Sequence, residues 1–76
     1  MNNIFAIAKY NIMEILLLKI MCERNLTVRQ VEQMTKVPKS TINDIMNGKS
    51  PRLDTLEQLA VGLKVKISDL YDSPYK

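Results

Sequence analysis

Seventy-six residues carrying 11 Lys and Arg against 8 Asp and Glu, net +3, make one small domain close to the lower size limit for folding without covalent staples. With no histidine and a single cysteine, Cys22, the chain lacks the material for a zinc site, a nucleophile–base pair or an internal disulfide, and its two glycines cannot cradle a phosphate, so an enzyme and any metal or other cofactor fall away. The same cysteine usage, without a cleavable signal sequence, makes the cytoplasm the expected setting.

Residues 1–8, MNNIFAIA, have no clear period and are read as an N-terminal arm, open between an added helical turn, an edge strand and an ordered coil. A first helix is predicted from Lys9 or Tyr10 to Arg24. At about 100° per residue Met13, Leu16, Leu17, Ile20 and Met21 share its core side. Ile15, Leu18 and Cys22 fall nearly opposite, so this helix is apolar on two faces. The second face is expected to be a subunit interface, the alternative being that Ile4, Phe5 and Ile7 fold back over it. A membrane span needs about 20 mostly apolar residues. Here Lys9, Asn11, Glu14 and Lys19 interrupt the apolar run, so no membrane is implied.

The second helix has a complete start signal. Thr27 as N-cap and Gln30 three residues on form a capping box, while Leu26 and Val31 stand where a hydrophobic staple sits. It is predicted from Val28 to Met34 or Thr35. Pro38 cannot continue that helix but suits the start of the next, so a short turn near Lys36 and Val37 leads into a third helix from Pro38 or Lys39 to Asn47, stopped by Gly48. Ile42, Ile45 and Met46 are its expected buried side, leaving Lys39, Ser40, Thr41, Asn43, Asp44 and Asn47 outward. Ser50 and Pro51 break the chain again. A fourth helix then starts near Asp54, its core face written by Leu53, Leu56, Leu59, Ala60 and Leu63. Ser68 to Tyr71 reads as one last turn or a short fifth helix, and 72–76 as a flexible tail.

Charge is not spread evenly over these elements. Between Leu26 and Leu53, Arg29, Lys36, Lys39, Lys49 and Arg52 stand against Glu32 and Asp44, and the flanking segments cancel, so the basic excess of +3 lies in the second and third helices and their exit. A helix, a tight turn and a second helix with a basic, polar face have a known use on DNA.

The ordered series Leu26-Thr27, Val31, Val37, Ser40-Thr41-Ile42, Ile45, Gly48-Lys49, Leu53-Asp54-Thr55-Leu56, Leu59-Ala60, Leu63, Val65 and Ile67-Ser68-Asp69-Leu70 resembles the lambda-repressor-like helix-turn-helix domains of the Cro/CI or XRE type, from about Leu16 to Leu70. The resemblance implies an all-α, compact five-helix domain with its helix-turn-helix at about 27–47, spanning 1–76 as one unit. It further implies a sequence-specific transcription regulator, a repressor, that binds double-stranded DNA as a homodimer, with no small-molecule ligand evident. Carried over residue by residue, Lys39, Ser40, Thr41, Asn43 and Asn47 become candidates for base contact in the major groove. Thr27, Arg29, Gln30, Lys36, Lys49 and Arg52 become candidates for phosphate contact. Ile15, Leu18 and Cys22 remain the dimer candidates. A protein-interaction module on the same fold, such as an antitoxin subunit or adaptor, is the alternative. Five positions depart from the family's habit: Val28 replaces a phosphate-touching glutamine, Glu32 a small residue, Lys36 and Lys64 glycines, and Asp44 puts a carboxylate on the recognition helix.

Overall fold

The computed structural model of the protein describes residues 14–73. In chain order these form β1 (Glu14–Ile15), α1 (Leu17–Arg24), α2 (Val28–Thr35), α3 (Lys39–Met46), α4 (Leu53–Leu63), a 3₁₀ turn (Ile67–Asp69) and β2 (Tyr71–Asp72). The expected arm at 1–8, residues 9–13 of the expected first helix and residues 74–76 of the expected tail lie outside the described residues.

The helix that ends at Arg24 begins at Leu17, and the helix expected to run unbroken into it is interrupted at Glu14 and Ile15. Glu14 and Ile15 are extended and pair antiparallel with Asp72 and Tyr71. The Leu16 N–H donates to the Leu70 carbonyl at 2.8 Å, fastening the ladder to the helix start. An apolar period running through Leu16 and Leu17 suits either state locally, and a backbone partner from the far end of the sequence decides between them. Ile15 therefore stands on a strand, half-buried against the core, rather than on the outer face of a helix with Leu18 and Cys22.

Among the described residues there are four α-helices where five were expected, on a framework otherwise all-α. Segment 67–69 stays a single 3₁₀ turn: the Leu70 N–H returns to the Ile67 carbonyl at 2.9 Å, and the Lys66 N–H donates to the Asp69 carboxylate at 3.1 Å. The chain then extends into β2, so Asp72, at the head of the expected tail, pairs with Glu14.

Every helix contributes to one core. Leu17, Ile20 and Met21 from α1 meet Val31 of α2, Ile42 and Ile45 of α3, and Leu56, Leu59, Ala60 and Leu63 of α4, with Val37 from the turn and Leu70 closing the ends. Leu53 breaks the expected pattern: it is 80% exposed. As the first residue of α4 its side chain leans toward the helix N-terminus, over a turn that does not exist, and so misses the core that Leu56 reaches.

Three helices end on a left-handed residue that is not glycine: Asn25 (φ 57°), Lys36 (φ 64°) and Lys64 (φ 59°). Asparagine tolerates this conformation; at each lysine the strain is on the order of 1 kcal/mol. A cation carried beside a helix C-terminus offsets part of it. At α4 a second cation adds to this, because the Arg24 guanidinium at the end of α1 donates to the Leu63 carbonyl at 2.6 Å. Gly62 sits where no side chain fits: a Cβ there would come within 2.6 Å of the Met34 carbonyl and Thr35 Cα, so α2 and α4 cross in contact at the backbone.

Candidate nucleic-acid interface

The joint between α2 and α3 is assembled from hydrogen bonds that the local sequence dictates. At its start the capping box forms in full: the Gln30 N–H donates to the Thr27 hydroxyl at 3.1 Å, and the Thr27 N–H to the Gln30 side-chain oxygen at 2.8 Å. At its end the Lys36 N–H returns to the Glu32 carbonyl at 2.8 Å as the chain turns left-handed. Thr35, 3% exposed, fixes the turn from inside. Its hydroxyl donates to the Val31 carbonyl at 2.7 Å and accepts from the Val37 N–H at 3.2 Å. The Thr35 carbonyl in turn accepts from the Gln58 side chain of α4 at 3.0 Å, so the joint is bolted to the helix behind it.

A charged residue at the close approach of the two helices has to turn outward or force them apart, and Glu32 does the former with a partner: its carboxylate lies on the exposed side of the turn and accepts from the Lys39 N–H at 3.1 Å. Pro38, which precedes α3, has no side chain able to accept, and α3 has no acidic residue in its first turn. Glu32 thus supplies from α2 the acceptor that α3 lacks.

On α3 the buried residues Ile42 (0% exposed) and Ile45 (6% exposed) define the inward side. Lys39, Ser40, Asn43, Asp44 and Asn47 are exposed, and at about 100° per residue Ser40 and Asn47 lie at the middle of the outward face with Asn43 and Asp44 to either side. Lys39 opens the helix at one seam, and Thr41 is half-buried at the other, further from the outward centre than the remaining four candidates. Asn47 closes the helix, its N–H donating back to the carbonyls of Asn43 and Asp44, before Gly48 takes φ 100°.

The cations of these segments are on the surface, and Lys49 reaches the outward face of α3 itself, beside Asp44. Arg29, Lys36, Lys49 and Arg52 are all exposed, as are Thr27 and Gln30. Two of them have carboxylate neighbours: Lys49 lies 3.8 Å from Asp44, and Arg52 3.4 Å from Asp54. With side chains 74% and 85% exposed on the basic partners, such pairs hold weakly and exchange readily for another anion. Asp44 is therefore partly neutralised by Lys49 while standing within the outward polar face.

Sequence reasoning placed Lys39, Ser40, Asn43, Asp44 and Asn47 outward, as the structure has them, and also Thr41, which is half-buried; it missed the supports of this face. The cap from Glu32, the bolt from Gln58 and the backbone contact at Gly62 join residues distant in sequence. The signals that existed were a charged residue in place of a small one and a glycine inside a helix. Among the described residues no helix is long and apolar enough to cross a membrane.

A family model described as helix-turn-helix matches residues 17–70. No curated protein and no solved structure matches the chain.

Proposed function

The chain belongs to the helix-turn-helix family, and from that premise we propose that it is a DNA-binding transcription regulator of the XRE, lambda-repressor-like type, a repressor that reads a two-fold symmetric operator as a homodimer. The observation that carries the reading is the outward face of α3: uncharged hydrogen-bonding side chains at its centre, held on a fully capped joint, in a segment whose cations Arg29, Lys36, Lys49 and Arg52 are all exposed. Lys39 has the chemistry to donate to guanine O6 or N7, Asn43 to pair bidentately with adenine, and Ser40, Thr41 and Asn47 to bond base edges in the major groove. These cations, with the Thr27 hydroxyl and the Gln30 amide, are suited to phosphate. One such helix covers few base pairs, and a two-fold dimer doubles the reading with half-sites about one helical turn apart. Ile15, Leu18 and Cys22 support pairing through the α1 side, since they line one groove together with Ile45 and Met46.

Selection of duplexes from a random pool tests the function directly. It is expected to return a two-fold symmetric site, and the double variant Lys39→Ala, Asn43→Ala is expected to lose about 2–6 kcal/mol of preference for that site while remaining folded, at about 1–3 kcal/mol per base contact. No enrichment, with scrambled DNA bound equally well at moderate salt, would sink the proposal. Asp44 is the specific observation behind the second reading, a protein-interaction module such as an antitoxin subunit or adaptor, because a carboxylate on that face repels phosphate. Unchanged DNA binding by the same double variant would favour that module.

A further inference from the structure

Glu32 touches both ends of the turn. Its backbone carbonyl takes the Lys36 N–H at 2.8 Å and its carboxylate takes the Lys39 N–H at 3.1 Å, so one half-buried residue brackets the link between α2 and α3. Nothing within α3 duplicates this, since Pro38 makes no side-chain cap and the first turn holds no acidic residue. The consequence is electrostatic as well as geometric. A helix N-terminus carries about half a positive charge and attracts phosphate whatever the base sequence. Here that end of α3, next to the proposed base-contact residues Lys39 and Ser40, already holds an internal carboxylate.

We infer that Glu32 is a positioning and specificity-determining residue, which sets the start of α3 by capping it and lowers sequence-independent DNA binding by offsetting the helix's own attraction for phosphate. The inference rests on the DNA-binding reading above. A carboxylate at this point penalises a phosphate brought close to the helix end, while it tolerates the amino groups of cytosine and adenine on base edges. Loosely seated, non-specific complexes therefore lose more than a complex in register.

Two variants separate charge from cap. Glu32→Gln keeps an acceptor oxygen for the Lys39 N–H and removes the charge. Its Lys39 amide is expected to stay protected from hydrogen exchange, while affinity for a scrambled duplex rises about threefold, the effect of roughly one phosphate contact. The ratio of selected-site to scrambled affinity falls accordingly. Glu32→Ala removes both, and is expected to lose that ratio and also to speed exchange at the Lys39 amide. A ratio unchanged in Glu32→Gln, or Lys39 exchange unchanged in Glu32→Ala, overturns the inference alone. Wild-type protein with no preference for any selected duplex overturns the proposed function, and the specificity role with it.

Discussion

The α2–α3 joint and the α1–ladder end of the molecule are built on opposite principles. At the joint, nearly every element is fixed by a directional bond to backbone: the capping box, the Thr35 hydroxyl, the Gln58 bolt, the Glu32 cap and the backbone contact beneath Gly62. Its outer surface is polar. At the other end α1 starts without a side-chain cap, the ladder is four residues in all, and the carboxylates Glu14 and Asp72 face each other across it, a pairing that weakens a ladder. Its outer surface carries Leu18, 49% exposed, and Cys22. A rigid polar surface is suited to reading a fixed array of hydrogen-bonding groups. An apolar one is suited to burial against a second subunit. The division of labour proposed for the two ends therefore follows from how each is held.

The largest effect that would break this contrast is at the joint. Gly62→Ala places a methyl 2.6 Å from the backbone of Met34 and Thr35, and since backbone cannot step aside the variant is expected to lose about 3 kcal/mol in urea unfolding. A near-neutral result would mean that α2 and α4 are free to separate and that the joint is not rigid. Next come the two left-handed lysines. Replacing either by glycine is expected to stabilise the fold by up to about 1 kcal/mol. Lys64→Gly should do so with DNA binding unchanged. Lys36→Gly should also lower the slope of log affinity against log salt by about 0.9, one phosphate contact, if Lys36 touches the backbone. Equal DNA effects from the two would remove Lys36 from the interface. Smallest in stability, within about 0.5 kcal/mol, is Leu18→Glu at the exposed α1 face. It is expected to leave a folded chain that sediments as a monomer, and a dimer of unchanged affinity would move the interface elsewhere.

Legibility in the sequence divides along a similar line. The capping box of Thr27 and Gln30, the stop at Gly48 and two of the three residues of α3's expected buried side, Ile42 and Ile45, were readable, because each is a rule about residues within a few positions of one another, while Met46 is only half-buried at the edge of that side. The start of α1 was misread because the strand exists only through its pairing with Tyr71 and Asp72. Leu53 satisfied the apolar period yet lies one turn before the core begins. Glu32 was recognised as discordant, but the atom that satisfies it belongs to Lys39 across a turn, and helical periodicity carries no information about that distance. Gly62 carries no local signal of its role, which comes from the crossing with α2.

Because Glu14 and Asp72 are ladder partners, the two ends of the described chain meet in one place. The connectivity of the described residues is then effectively circular: the core requires the helices in a given cyclic order, and it tolerates a cut wherever no bond of the α2–α3 joint is crossed. A chain joined across that gap and opened after Lys49, in an exposed turn away from the core residues, would keep the same burial and the same recognition face with its beginning and end exchanged.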